Sequence, residues 1–483
     1  MNSTIIKPLF IFATLAIASV VTFERTFDEK ITHRITTVDD NALTFAVGKA
    51  AKFSTSINGR SHQQTPITSF RGFQYATWYD ATRNVCVGRR QLPDGPWEII
   101  RLLDHKIQSN DAHNTVVIGI CHKDGTIHLA FDHHATELNY RVSAIGAATD
   151  PQSTQWSTEL FGEIQHSLGA VKTEERVTYP RFFNAPNGNL MLYYRSKTSA
   201  DGDGMIEEYD GEKHQWSPGL GKFISKDIGT FSAGGKTSLA RCPYMNDLCY
   251  AGDRLHASWI WRDRFKKTQS KNQHDLCYVY SDDHGRTWCN SNGEVIGKTN
   301  TDFIHLDSPG LVVAPIPIGS GITNQNTQYA YPDGRVHIVA RQRDDAVGEG
   351  RYRHWWRDSD GKWHNEPIPF TGKRPKLLGD SERSLLLVFN TDDEDMRIVR
   401  GTPNSDRSSW QWSRVDLPFS LDVIGEPMVD YARWEQESGK VLSIYCQREP
   451  TKLIETNQPG PVDGAPSPLH VLDLSFASER MGK

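Results

Sequence analysis

What this chain has least of is helical periodicity. Beyond the first two dozen residues no apolar run recurs at 3.6-residue spacing, so all-helical and doubly wound α/β folds find no support. Basic excess is also missing. Lys and Arg total 54 against 59 Asp and Glu, a formal net charge of −5, which gives no basis for general nucleic-acid binding. Apolar stretches are confined to the start, where one Lys precedes a run from Pro8 to about Phe23 and Ala16-Ile17-Ala18 offers a small-residue cleavage site. That run is too short and too near the first residue to favour a stable span, and nothing later is apolar enough to cross a bilayer. Residues 1–24 are therefore expected to be a signal peptide, with an uncleaved anchor as the alternative, and the remainder to be secreted or periplasmic and off the membrane.

Cysteine is sparse and odd in number. Seven residues leave at least one thiol unpaired. Cys277 and Cys289 flank a predicted hairpin, and Cys242 and Cys249 a predicted short turn, so either pair could be a disulfide in an oxidising compartment. A structural metal ion held by Cys277 and Cys289 with His274 is the alternative, although this spacing is not a recognised zinc pattern. Cys86, Cys121 and Cys446 fall inside strand patterns and read as core. No linker long enough to mark a second domain interrupts residues 66–475, and 25–483 reads as one domain.

What the chain does have is a repeated phrase: a hydrophobic strand, often opened by Gly and closed by polar or charged residues. The copies are FQYATWYD (73–80), GTIHLAFDHH (125–134), GNLMLYYRS (188–196), DRLHASWIWRD (253–263), GRVHIVARQRD (334–344), SLLLVFNTD (384–392) and GKVLSIYCQRE (439–449). Period-two alternation with β-branched and aromatic residues marks each as a strand. A second marker follows most copies, a Trp in a turn-rich setting at 97, 156, 216, 288, 363 and 412, at spacings of 49 to 75 residues. This is the length of a four-stranded sheet per repeat, so the expected fold is all-β, a seven-bladed β-propeller. A possible closing strand, Ala42–Val47, would complete the last blade. The octet Ser281–Trp288 matches the Asp-box pattern S-x-D-x-G-x-T-W, which names an architecture and not an activity.

Equivalent strand ends gather on one propeller face, so the residues closing the phrases should converge. They include His133, His134, Arg195, Arg262, Arg341, Arg343 and Arg448, a basic canyon on an acidic body that suits an anionic substrate. Asp111-Ala112-His113-Asn114, Phe131-Asp132-His133-His134, and Tyr179-Pro180-Arg181 with Tyr194-Arg195 stand at strand ends of neighbouring repeats. His and Tyr exchange protons, and Arg grips a carboxylate through two parallel bonds. Such a set fits β-elimination from a uronic acid: Arg neutralises the carboxylate, a His or Tyr takes the C5 proton, and another donor protonates the oxygen leaving C4. No metal or other cofactor is required for that chemistry. Glycoside hydrolysis would instead need two opposed carboxylates, for which Asp132 and Asp263 are candidates that the sequence does not pair.

The segments VTYPRFFNAPNGNLMLYYR (177–195), DRLHASWIWRD (253–263) and NQHDLCYVYSDDHGRTW (272–288) resemble the BNR-repeat propeller family. That family includes ulvan lyases of polysaccharide lyase families 24 and 25 and rhamnose–glucuronate lyases. The resemblance implies a seven-bladed propeller with an active site of two His, a Tyr and an Arg. The matching positions are His113, a His of the FDHH phrase, Tyr179 and Arg195. Within that phrase His134 is preferred over His133, because the repeat aligns it with Arg262 and Arg343. By this resemblance Tyr179 and His113 handle the protons, Arg195 neutralises the uronate, and Arg262 contacts the same carboxylate or a neighbouring sulfate. The implied function is a secreted lyase cleaving between sulfated rhamnose and uronate in ulvan. Its partner is an anionic polysaccharide, and a monomer is expected. A rhamnosyl-glucuronate lyase or α-L-rhamnosidase on a related propeller, and a non-catalytic carbohydrate-binding propeller, are the alternatives.

Overall fold

The computed structural model describes residues 30–171, 173–174, 176–265, 272–344, 348–380 and 384–477; the expected signal peptide lies outside them. Seven antiparallel sheets stand around one axis as a seven-bladed β-propeller. Each repeated phrase forms the second strand of its blade: Phe73–Tyr79, Ile127–Phe131, Leu190–Ser196, Arg254–Asp263, Val336–Asp344, Leu385–Asn390 and Val441–Arg448. These strands are sandwiched between neighbouring blades on both faces, which is why their sequences are so uniformly apolar. The Trp marker falls in or beside the fourth strand of blades one, three, five and six, at Trp97, Trp216, Trp363 and Trp412.

Two details depart from the sequence reading. The ring is closed by Lys30–Ala42, paired along the C-terminal strand Ser467–Ala477, and not by Ala42–Val47. An outermost strand faces water, so its apolar alternation is too weak to announce it. Blade two has only three strands, Val116–Ile120, Ile127–Phe131 and Tyr140–Val142. Between its second and third strands the chain kinks through positive φ at Asp132 (64°) and Ala135 (62°) and sends His134–Thr136 across to the inner strand of blade three.

The Asp box works as its sequence implies. Asp283 accepts from the backbone N–H groups of Thr287 (2.7 Å) and Arg286 (3.2 Å), and Gly285 supplies the positive φ of 83°. Trp288, fully buried, stacks on Phe223 of blade three at 4.6 Å and donates its indole N–H to Thr299. Trp288→Ala should therefore cost about 3–5 kcal/mol by opening a cavity between two blades. A chemical denaturation curve checks this.

The seven cysteines are free thiols. Cys242 and Cys249 share one continuous strand, Arg241–Ala251, and do not flank a turn. At ~3.3 Å per residue they stand far beyond disulfide reach. Cys277 faces the core of blades three and four beside Trp259, whereas Cys289 packs on the other side, against the core shared with blade five. His274 does not join them. Its ring nitrogens meet Asp263 (2.6 Å) and Asp275 (2.9 Å), and these carboxylates outweigh burial to raise its pKa. With both ring nitrogens bonded to carboxylates, neither is turned to the cysteines.

Candidate functional site

The second strands all end on one face, the face on which the crossover from blade two to blade three brings the candidate residues together. Thr178 pairs with His134 across that crossover, and the next residue, Tyr179, sits at a break in register with φ of 54°. A bulge re-aims a side chain, and here it points the tyrosine away from the regular inner-strand alternation. The loop before blade two adds Asp111 and His113, with the His113 backbone N–H donating to the Asp111 carboxylate.

Asp111 organises the pair of histidines. His113 donates Nδ1–H to Oδ1 at 2.5 Å, and His134 donates Nδ1–H to Oδ2 at 2.8 Å. The two rings stack with centroids 4.3 Å apart. A neutral imidazole that donates from Nδ1 carries its lone pair on Nε2. Burial lowers the His113 pKa, partly opposed by Asp111, so its imidazole is neutral at neutral pH. Burial works against ionisation of Asp111, but the bonds from His113 and His134 prevail and hold its carboxyl well below the usual range. These three residues are the one group among the described residues whose metal-ligating atoms lie within 4.8 Å of one another. Each histidine gives Nδ1–H to the carboxylate and keeps Nε2 outside those bonds, open to a proton or a metal ion.

Tyr179 is 7% exposed, with its ring centroid 5.8 Å from that of His113 and 6.1 Å from that of His134. Its phenol is pushed well above the usual tyrosine range by burial and by Tyr244, while the charges of Arg195, Arg262 and Arg374 act in the opposite sense. At rest it is a proton donor. Arg195 does not reach the cavity: it is 1% exposed, with its guanidinium 4.9 Å from the ring centroids of both Tyr179 and Tyr244. Arg262 does line the cavity, over the Tyr244 ring at 4.1 Å and bonded to the Tyr244 hydroxyl (2.5 Å) and Ser199 (3.0 Å). Asp263, its sequence neighbour, is instead buried against Arg241 and His274.

The two histidines of the FDHH phrase point in different directions. His133 turns inward, bonds Asn139, and is pushed down to about 4 by burial, whereas His134 joins Asp111. Convergence of the other basic strand ends is partial. Arg341 pairs with Asp392, and Arg448 is exposed on blade seven.

Several residues of the cavity, about 390 Å³ in volume, were not singled out by the sequence. His62 lies tilted against His113, with ring centroids 4.1 Å apart, and bonds Gln325; burial and the charges of His113, Arg374 and Arg60 keep it neutral. Arg374 bonds Asn324 and buried Glu426, which Arg60, Arg374 and His62 hold ionised against burial. Arg60 lines the wall, and its buried Nε has no hydrogen-bond partner among the described residues. Phe53 stands at the rim. Among the described residues no Asp or Glu lines this cavity; Asp132 is occupied by His105 and Asn114 outside it.

Among proteins of known function, the chain is 23% identical over 462 residues to an ulvan lyase, long isoform, of Pseudoalteromonas sp. (strain PLSV), covering 85% of this chain and 45% of that protein. It is 23% identical over 290 residues to the short isoform of Alteromonas sp. (strain LOR), covering 50% of this chain and 53% of that one. It thus spans about half the length of these relatives. Among solved structures, polysaccharide lyase Uly1 superposes with a TM-score of 0.71 at 18% identity, covering 92% of this chain and 99% of that one. A PL25 ulvan lyase bound to -[GlcA(1-4)Rha3S]- gives 0.60 at 12% identity, covering 86% and 93%. At these identities the likeness concerns the fold. The model of the BNR repeat-containing family matches residues 73–370, well over half of the sequence, and the chain belongs to that family.

Proposed function

We propose that this protein is a polysaccharide lyase that cleaves ulvan, or a closely related uronate-containing sulfated polysaccharide, by β-elimination. One observation carries this reading: an arginine-lined cavity without a carboxylate in its wall, holding a neutral His113 fixed by Asp111 opposite a protonated Tyr179. Conventional glycoside hydrolysis needs two carboxylates flanking the bond, and the described residues of this wall include none. Elimination needs a base, an acid and a cation, and all three are present.

In this reading Arg262 and Arg60 grip the uronate carboxylate, which acidifies C5–H. His113 Nε2 takes that proton; the electron pair forms the C4–C5 double bond, the C4–O4 bond breaks, and the Tyr179 hydroxyl protonates O4. The imidazolium formed at His113 is stabilised by Asp111, and the phenolate formed at Tyr179 by Arg195 beneath its ring. Return of the proton from His113 to Tyr179 restores the resting state. Arg195 thus acts on the substrate through Tyr179, and not by direct contact. No metal or cofactor enters any step. Secretion or residence in the periplasm, and action as a monomer, complete the proposal.

Incubation with ulvan or gum arabic, followed by ultraviolet absorbance of the unsaturated uronate, tests the activity. A rise in absorbance is expected. Free rhamnose without absorbance would identify a hydrolase, and neither signal on any uronic-acid polymer would identify a binding propeller.

A further inference from the structure

One residue at the rim is in the wrong place for stability. Phe53 is 70% exposed, so most of a side chain whose burial is ordinarily worth about 1.5–3 kcal/mol is left in water. Its backbone also has φ of 70°, the left-handed region that a bulky residue rarely adopts and that costs about 1–3 kcal/mol. Two unfavourable features at one residue are tolerated when the surroundings enforce them, and here they do. Lys52 donates its backbone N–H to Asn110 at 2.9 Å and accepts from the Ala112 N–H at 3.2 Å, which clamps the Phe53 segment to the loop carrying Asp111 and His113.

The clamp aims the ring. Phe53 stands edge-on to His113, with centroids 4.3 Å apart and planes at 80°, and lies 6.3 Å from His134. Much of the remaining cavity wall is Arg, His, Tyr, Asn and Gln, groups that bond the polar edges of a sugar. A pyranose ring also has an apolar C–H face, and a deoxy sugar, lacking one hydroxyl, has more of it. An exposed aromatic ring held rigidly over the proton-transfer histidines is complementary to that face and to little else in a sulfated polymer.

We propose that Phe53 is the stacking platform for the neutral-faced, 6-deoxyhexose residue adjoining the uronate that undergoes elimination. The proposal rests on the lyase reading above. It assigns Phe53 a binding role, separate from the proton chemistry of its histidine neighbours.

The test compares Phe53→Ala, Phe53→Trp and Phe53→Gly with the unaltered protein on ulvan. Phe53→Ala should raise KM about three- to tenfold, the range of a single aromatic contact, and leave kcat and the pH profile in place. Phe53→Trp should keep KM near or below its original value. Phe53→Gly should raise KM like Ala yet melt at the same or a higher temperature, because glycine accepts this φ without strain. If Phe53→Ala lowers kcat and shifts the pH profile at constant KM, or if Phe53→Gly melts lower, the ring is a prop for His113 and the proposal is overturned. To separate this from the activity itself, binding of ulvan oligosaccharides is measured calorimetrically on the Tyr179→Phe background. Weaker binding after adding Phe53→Ala supports the platform even if no unsaturated product forms, and unchanged binding refutes it.

Discussion

Tyr179→Phe should reduce turnover by about 10²–10⁴-fold, the contribution typical of a positioned proton donor, while the fold and oligosaccharide binding survive. The substitution removes one oxygen and leaves the ring that Arg195 and the histidines pack against. That hydroxyl makes no hydrogen bond to a described side chain, so its loss strands no partner, and the expected effect falls on kcat alone. The same geometry predicts how Arg195 behaves. Its charge stabilises the phenolate that appears only after proton transfer, so Arg195→Lys, which keeps the charge, should retain more turnover than Arg195→Met. A folded Tyr179→Phe protein with near-normal turnover would remove the tyrosine from the chemistry and leave the histidines to supply both protons.

The second large effect is expected at a residue that touches no substrate. Asp111→Asn keeps the shape of the side chain but replaces an acceptor of two N–H bonds with an amide that can accept on one side only. One imidazole must then flip its tautomer, and a wrong tautomer in a carboxylate–imidazole pair costs about 10⁴-fold where that has been measured. Turnover should fall by roughly 10³–10⁴-fold with KM little changed. The pH dependence gives an independent check. His113 must be neutral to take a proton, and burial holds its pKa below the ordinary imidazole value, with Asp111 raising it in part. In the unaltered protein the rate should therefore hold through neutral pH and fall only as pH drops below the usual histidine range. Removing the Asp111 charge should move that acid limb lower still. An unchanged rate and pH profile in Asp111→Asn would mean that the bonds to His113 and His134 have no part in turnover.

Much of the fold was legible because a propeller repeats its most buried element. Seven second strands with the same alternation, such as GNLMLYYRS and GRVHIVARQRD, give blade number and order directly. The closing strand escaped because it is flanked by solvent: in KITHRITTVDDNA, Ile35 is exposed, and the hydrophobic rhythm is lost. The Cys242–Cys249 segment was misread because Pro243, Asn246 and Asp247 look like a turn, yet they form an inner strand whose Asp247 faces the axial channel.

Of the candidate site, His113, His134 and Tyr179 were legible by type and by position at strand ends. Their surroundings were less so, because the site draws on connections with no periodicity. Arg60 and His62 come from the polar stretch SINGRSHQQTP ahead of blade one, and Arg374 from the connection into blade six. Asp111 was in view beside His113, but only the crossover after His134 shows that one carboxylate serves both histidines. Arg195 presents the reverse case. Its place at a strand end suggested direct contact with a carboxylate, and the structure puts two tyrosine rings beside it at the cavity floor.

The proposed chemistry requires the bond at C4 to break by elimination. Mass spectrometry of the products from ulvan measures this most directly. The account predicts new oligosaccharide ends carrying an unsaturated uronate, each one water lighter than a hydrolysed end, with no saturated uronate ends formed alongside them. Products bearing the full mass of added water would contradict it.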